Sequence, residues 1–127
     1  MSFKAKTSVL VVDDKNYLRR ILRHAFEKYG CTTSEAMDIE QAVAIVRAEK
    51  PNIVVTDILR DDGTDGLMMA RAMRKAGFQG EIHVFTGDTE SCRDELDSLV
   101  EEGVIQSYRL KGVTDVYTVV RSIMQFN

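Results

Sequence analysis

Five strand-length runs alternate with five segments of helical periodicity in this chain, and this alternation limits the folds that it can adopt. The connections are short, so they favour right-handed crossovers and a parallel sheet with helices on both faces. A chain of 127 residues is long enough for one such domain, expected over residues 1–127 with no output domain. We therefore predict a doubly wound α/β domain. Its strands are expected at residues 7–12, 31–36, 52–56, 81–85 and 104–110.

Two of the helical segments carry specific expectations. In residues 15–29, Arg19, Arg20 and Arg23 lie opposite an apolar face, so we expect these arginines in solvent. Residues 89–102 are heavily charged and have only a narrow apolar stripe, so we expect a weakly held helix that buries little. The apolar face of the first segment consists of Leu18, Ile21, Leu22, Ala25, Phe26 and Tyr29. The narrow stripe consists of Cys92, Leu96 and Leu99.

Composition and charge argue against several classes of function. The net charge of −3 is unsuited to an electrostatic grip on nucleic acid or on an anionic membrane. Cys31 and Cys92 lie far apart and lack metal-ligand spacing, so we expect two buried or half-buried thiols in a reducing compartment. The longest apolar runs have only strand length, and residues 1–8 are too short and polar for a secretory signal. We therefore expect a cytoplasmic protein that binds neither nucleic acid nor membrane.

Four of the predicted strands end at residues that carry chemistry. Asp13 and Asp14 follow the first strand, Asp57 follows the third, Thr86 the fourth and Lys111 the fifth. Each is a weak indication alone, because aspartate also caps helices and turns, and lysine is a common surface residue. In a parallel sheet, however, all of them meet at the carboxyl edge, where open α/β folds bind ligands. Their joint placement predicts a functional site.

The residue types at this edge suit a divalent cation and a phosphoryl group. Mg²⁺, or Mn²⁺, prefers hard oxygen ligands, which Asp14 and Asp57 can supply directly while Asp13 holds a metal-bound water. With the cation present, an aspartate oxygen can attack phosphorus and form an acyl phosphate. The residues expected to bind the phosphoryl group are Lys111, Thr86 and Gly87, which offer an ammonium, a hydroxyl and free space.

These residues closely resemble those of the receiver domain of two-component response regulators. Asp13-Asp14, Asp57, Thr86 and Lys111 match that family's acidic pair, phosphoacceptor, switch hydroxyl and lysine in order and approximate spacing. Residues 13–21 are similar to the start of the first helix in chemotaxis-type members, and the resemblance covers essentially the whole chain. It implies a flavodoxin-like (βα)₅ sandwich with strand order 2-1-3-4-5.

The resemblance also implies a mechanism and partners. Asp57 would accept a phosphoryl group from a sensor histidine kinase or a histidine phosphotransfer protein, and the backbone carbonyl of Leu59 would join the metal ligands. Thr86 would move toward the phosphoryl group, and Tyr108 would turn inward into the vacated space. The fourth helix, fifth strand and fifth helix would then control a downstream protein target, by docking or by onward phosphoryl transfer. A phosphorylation-dependent dimer stays open, and no catalysis is implied beyond the protein's own phosphorylation and slow dephosphorylation.

Three features depart from the family pattern. Arg60-Asp61 stand where the family has Met-Pro after the acceptor loop. Gly112 follows Lys111 where relatives have a cis-bonded proline, so we expect either a trans bond with a rearranged loop or a strained cis bond. Leu59 and Asp88 occupy the positions that tune the phosphoryl lifetime, with effects that the sequence does not decide.

Other classes of function compete with this interpretation. A receiver-like binding module that works without phosphorylation is the main alternative. An aspartyl phosphatase would need a second acid two residues after Asp57, where Leu59 stands. A flavin carrier would need a hydroxyl-rich loop after the first strand, and a nucleotide-binding protein would need a glycine-rich phosphate loop. The sequence contains neither loop.

Overall fold

Five parallel strands form a single sheet in the order β2-β1-β3-β4-β5, which confirms the predicted fold class and strand order. The structure is a computed structural model that describes residues 6–58, 68–87, 90 and 92–125. The strands are β1 (Ser8–Val12), β2 (Thr32–Ala36), β3 (Ile53–Thr56), β4 (Glu81–Thr86) and β5 (Ser107–Leu110).

The helices of the described residues lie on both faces of this sheet. Side chains of β1 alternate between the faces, so that Leu10 and Val12 enter one apolar cluster while Val9 and Val11 enter another. The helices are α1 (Asn16–Glu27), α2 (Ile39–Glu49), α3 (Met68–Lys75), α4 (Arg93–Glu101) and α5 (Val116–Gln125). The first cluster is completed by side chains of α2, α3 and α4, and the second by side chains of α1 and α5.

Backbone hydrogen bonds hold the carboxyl ends of the strands side by side. The amide of Asp57 donates to the carbonyl of Val12 at 2.9 Å, which extends the β1–β3 pairing one residue past the end of β3. The amide of Lys111 donates to the carbonyl of Thr86 at 2.7 Å and does the same for β4 and β5. The residues that follow these strands are therefore placed by the ladder itself.

The prediction for the first helix was wrong at three positions. Arg19 is buried, at 7% exposure, whereas Ile21 and Tyr29 are 39% and 50% exposed. The buried arc of α1 is narrower than the apolar pattern suggested and is filled by Leu18, Leu22, Ala25 and Phe26. Arg19 lies beside this arc, and its guanidinium is buried because it finds acceptors there.

The narrow apolar stripe of α4 is present as predicted. Cys92, Leu96 and Leu99 are buried, while the other side chains of Arg93–Glu101 are exposed. Two leucines of α4 are buried, and each contributes about 2 kcal/mol of transfer free energy. The apolar contribution of this helix is therefore small. That it is weakly held stays a prediction. Both cysteines of the chain are buried thiols, as expected.

Of the two peptide-bond geometries expected after Lys111, the structure has the trans one. No cis peptide bond occurs among the described residues, so Lys111 and Gly112 are joined in trans. Gly112 has φ +84°, in the left-handed region that proline cannot enter, because its ring holds φ near −65°.

No helix in the described part of the chain has the length and apolar composition needed to cross a membrane.

We expect His83 of β4 to make the free energy of unfolding fall at acidic pH. Its Nδ1 lies 2.6 Å from Ser107 Oγ and its Nε2 lies 2.8 Å from Glu81 Oε1. Burial lowers the pKa of His83 below its ordinary 6.5, although Glu81 opposes this. The unfolded chain therefore binds a proton that the folded state resists, so stability is complete above about pH 6.5 and falls as the pH drops below it.

Urea unfolding between about pH 7.5 and pH 5 tests this for the native protein and the His83→Gln variant. We expect the native protein to lose stability more steeply on acidification than His83→Gln. The variant His24→Gln replaces an exposed histidine of α1 and should keep the native slope. Equal slopes for His83→Gln and the native protein would contradict the prediction.

Candidate functional site

Lys111 joins the ends of two strands that are not its neighbours. Its Nζ donates to Asp13 Oδ2 at 2.7 Å and to Asp57 Oδ2 at 3.0 Å. Asp13 follows β1 and Asp57 follows β3, so the lysine side chain reaches across the end of β4 to meet them. Burial alone would lower the pKa of the Lys111 ammonium, but the hydrogen bonds to both carboxylates raise it above its ordinary 10.5. The lysine is therefore a fixed positive charge at the site.

Asp13 is the enclosed carboxylate of the acidic pair. Its side chain is 2% exposed, and its Oδ1 accepts a hydrogen bond of 2.9 Å from the amide of Lys15. Burial raises the pKa of Asp13 above its ordinary 3.8, and the nearby Asp57 charge adds to this. The hydrogen bonds from Lys111 and from the Lys15 amide oppose the rise. Both of its oxygens are already occupied within the protein.

The side chain of Asp57 is more accessible than that of Asp13. Its side chain is 13% exposed, against 2% for Asp13. Its Oδ1 accepts a hydrogen bond of 2.7 Å from the amide of Ile58, and its carbonyl accepts one of 2.8 Å from Thr56 Oγ1. These local bonds fix the carboxylate just past the strand, where its side chain keeps partial exposure to solvent.

Asp14 completes a cluster that fits a divalent cation. Ligand oxygens of Asp13, Asp14 and Asp57 all lie within 4.8 Å of one another, and Asp14 is exposed. In an octahedral Mg²⁺ site with ligands at about 2.1 Å, adjacent ligand oxygens are about 3 Å apart and opposite ones about 4.2 Å, so the carboxylates would move closer together around an ion. Three carboxylates and one ammonium leave an excess of two negative charges, which a divalent cation would balance.

The remaining predicted site residues are only partly described. Thr86 ends β4, is buried, and is tied through its carbonyl to the amide of Lys111, while Gly87 beside it is exposed. Leu59 and Asp88, like Arg60-Asp61, lie outside the described residues. The expected roles of these residues stay predictions.

Tyr108 of β5 contacts α4 in this structure. Its side chain is half-buried, and its hydroxyl donates a hydrogen bond to the carboxylate of Asp97. This bond raises the pKa of Tyr108 above its ordinary 10.0. The ring is thus attached to the surface of α4, and its predicted inward turn stays a prediction.

Sequence reasoning missed Arg19 as a neighbour of the site. Its Nη1 donates to the backbone carbonyl of Asp13 at 2.6 Å, and its Nε donates to Glu35 Oε1 at 3.0 Å. A signal was available, because Glu35 lies one residue before the end of β2, at the same edge of the sheet as Asp13. An arginine on the adjacent helix is a natural partner for that acid.

Comparisons with known proteins agree with this arrangement. Residues 9–106 match the response regulator receiver domain family. The photosynthetic apparatus regulatory protein RegA of Rhodobacter capsulatus is 36% identical over 80 residues, which cover 63% of this chain and 43% of RegA. The sporulation initiation phosphotransferase F of Bacillus subtilis is 35% identical over 66 residues, which cover 52% of each protein. The match thus spans about half, or less, of the length of these relatives.

Solved structures share the fold across nearly the whole chain. The CheY-like receiver domain protein of Methanospirillum hungatei has a TM-score of 0.81 at 17% identity, covering 96% of this chain and 94% of that one. The chemotaxis protein CheY4 of Vibrio cholerae has a TM-score of 0.78 at 18% identity, covering 95% and 98%. At such identities the likeness concerns the fold alone. The family match over residues 9–106, together with the strand order and the placement of Asp13, Asp57 and Lys111, confirms the resemblance: the chain belongs to the receiver domains of two-component response regulators.

Proposed function

We propose that this receiver domain is a phosphorylation-dependent signalling switch whose phosphoacceptor is Asp57. The observation that carries the proposal is the contact of Lys111 with both Asp13 and Asp57, at 2.7 and 3.0 Å. A permanent cation thus lies beside Asp57, the more exposed of the two carboxylates that Lys111 bonds. A phosphoryl group bound at Asp57 would carry close to two negative charges and would meet this ammonium directly.

The transfer step uses the side chains at the edge of the sheet. A carboxylate oxygen of Asp57 attacks the phosphorus of a phosphohistidine, forming an acyl P–O bond as the P–N bond breaks. The electron pair of the broken bond stays on the imidazole nitrogen of the donor. Lys111 pairs with one phosphoryl oxygen, the Thr86 hydroxyl bonds another, and exposed Gly87 leaves space for the group.

Asp14 and Asp57 would hold a divalent cation, with Asp13 bonding one of its waters and the carbonyl of Leu59 as a further ligand. The cation supplies positive charge that balances the clustered carboxylates and the incoming phosphoryl oxygens. Lys111 would keep its place as the second positive group. The donor in this proposal is a sensor histidine kinase or a histidine phosphotransfer protein.

Phosphorylation would act on the surface formed by α4, β5 and α5. Converting such a switch from almost wholly inactive to almost wholly active requires about 5.5 kcal/mol of differential stabilisation. Thr86 lies at the end of β4, the strand next to β5, and Tyr108 of β5 is bonded to α4 through Asp97. A movement of Thr86 and Tyr108 would change how α4 docks, and a downstream protein target would bind the altered surface.

The first test is the intact mass of the protein after incubation with acetyl phosphate and Mg²⁺. We expect a gain of about 80 Da, one phosphoryl group, that requires Mg²⁺ and is absent from Asp57→Asn. Because a short-lived adduct would escape detection, beryllofluoride binding is measured in parallel. A folded protein that binds Mg²⁺ but shows neither the adduct nor beryllofluoride binding would favour the unphosphorylated binding module.

A second prediction concerns repulsion within the acidic cluster. Two unit charges about 5 Å apart repel by about 0.8 kcal/mol even in bulk water, and Lys111 bonds Asp13 and Asp57 rather than Asp14. Asp14→Asn is therefore expected to raise the free energy of unfolding by about 0.5–1 kcal/mol without metal. It should also lose the stabilisation that Mg²⁺ gives the native protein.

Urea unfolding with a chelator and then with Mg²⁺ measures both effects for Asp14→Asn. The variant Glu49→Gln removes an exposed acid at the end of α2 and should keep the native response to Mg²⁺. An Asp14→Asn protein that is less stable than the native protein without metal would contradict the repulsion argument.

A third prediction concerns the bond between Tyr108 and Asp97. In Asp97→Asn the charge that disfavours the tyrosinate is gone, so the pKa of Tyr108 should fall toward its ordinary 10.0. Tyrosinate absorbance during alkaline titration should show this change for one of the four tyrosines. Asp94→Asn, which alters another exposed acid of α4, should titrate like the native protein, and an unchanged curve for Asp97→Asn would refute the contact.

A further inference from the structure

Arg19 is a charged side chain that the fold buries, at 7% exposure. Burial of a guanidinium is unfavourable unless its donors are bonded and its charge is paired. Its Nε donates to Glu35 Oε1 at 3.0 Å, its Nη1 to the carbonyl of Asp13 at 2.6 Å, and its Nη2 to Asn16 Oδ1. These acceptors belong to β2, to the connection after β1 and to the first turn of α1. One planar group therefore bonds two side chains and one backbone carbonyl from three parts of the fold.

Asp13 is the point at which this group reaches the site. The amide of Asp13 donates to the carbonyl of Ala36 at 3.1 Å, and its own carbonyl accepts from Arg19. The amide of Asp13 is thus held by β2, its carbonyl by Arg19 of α1, and its carboxylate by the Lys15 amide and by Lys111. The direction in which the carboxylates of the acidic pair point depends on where this backbone lies.

Glu35 holds the guanidinium in place. It accepts from Arg19 and from Arg23, and these two hydrogen bonds lower its pKa below the ordinary 4.5, so the acid remains ionised. Arg23 also bonds Thr33 Oγ1 at 3.0 Å, further from the site. The two arginines share one partner, but the hydrogen bond to Asp13 comes from Arg19. This difference provides a matched control within the chain.

We propose that Arg19 is a positioning residue for the divalent-cation site, acting through the backbone carbonyl of Asp13. The inference rests on the proposed function, since it deepens the account of the same site. Lysine cannot replace it, because an ammonium is a point charge that does not present the planar fork needed to reach three acceptors. A residue that oriented the acids only through its charge would, in contrast, be replaceable by lysine.

The experiment measures the dissociation constant of Mn²⁺ by electron paramagnetic resonance of the free ion, without any phosphoryl donor. We expect Arg19→Lys and Arg19→Gln to weaken Mn²⁺ binding by about tenfold or more, as supporting contacts of metal ligands commonly do. Arg23→Gln, which removes the other partner of Glu35, should bind Mn²⁺ within about twofold of the native protein.

A second measurement separates positioning from loss of folded protein. We expect the Mg²⁺ concentration for half-maximal phosphorylation by acetyl phosphate to rise by the same factor in Arg19→Lys. The rate at saturating Mg²⁺ should stay near the native rate, because the chemistry at Asp57 does not involve Arg19. Loss of folded protein would instead lower the saturating rate and leave the half-maximal concentration unchanged.

Several outcomes would overturn the inference. They are native-like Mn²⁺ affinity in folded Arg19→Lys, an equal loss in Arg23→Gln, and an Arg19→Lys protein that does not fold, since the role would then be structural. If the native protein itself bound no Mn²⁺ and accepted no phosphoryl group, the proposed function would fail and this inference with it. Normal native behaviour combined with native-like Arg19→Lys would overturn the inference alone.

Discussion

The repulsion among three carboxylates crowded within 4.8 Å is the constraint to which the rest of the site responds. Without compensation, each pair at this separation costs close to 1 kcal/mol even in water, and more where burial lowers the local dielectric. Lys111 offsets part of this by bonding two of the three acids. Backbone amides of Lys15 and Ile58 offset another part by donating to the same carboxylates. The excess of negative charge that is left explains why the site suits a cation.

The compensating groups reach the acids because the sheet is parallel. All five strands run the same way, so their carboxyl ends and the residues that follow meet at one edge. The last hydrogen bonds of the ladder, from Asp57 to Val12 and from Lys111 to Thr86, continue the pairing into the site. Site geometry and sheet stability are thus supported by the same backbone contacts. Arg19, which donates to the carbonyl of Asp13 and to Glu35 of β2, extends this support to the edge strand β2.

The surface formed by α4 and β5 has fewer stabilising contacts than the acidic edge of the sheet. The helix α4 buries two side chains, Leu96 and Leu99, next to the buried Cys92 that precedes it, and its other side chains are exposed. Its bond to β5 through Asp97 and Tyr108 lies at the protein surface. An element attached by few apolar contacts and a surface hydrogen bond can change its position at lower cost than a central strand. An acidic edge bonded on several sides and a helix with a narrow buried stripe suit a domain in which a charge at one place alters a surface at another.

Much of this arrangement is readable from the sequence because it depends on local periodicity. Alternating strand and helix patterns determine a doubly wound sheet, and residues that follow parallel strands must share its edge. Asp13, Asp57 and Lys111 were therefore predictable as neighbours before any distance was known. The buried face of the first helix was harder to predict, because a helical pattern does not say how wide that face is. Ile21 and Arg19 were assigned to the wrong environments for that reason.

Only the tertiary structure decided which partners these side chains have. A long polar side chain such as Arg19 can extend several ångströms from its helix, and its burial depends on acceptors contributed by β2 and the loop at Asp13. The contact between Tyr108 and Asp97 depends on how α4 docks on β5, and the contacts of Lys111 depend on the pairing of its backbone with Thr86 of β4. The sequence alone determined the order of elements and the chemistry at the strand ends, because both follow from short-range pattern. The distances, burial and pairing came from packing between segments far apart in the chain, which no local pattern encodes.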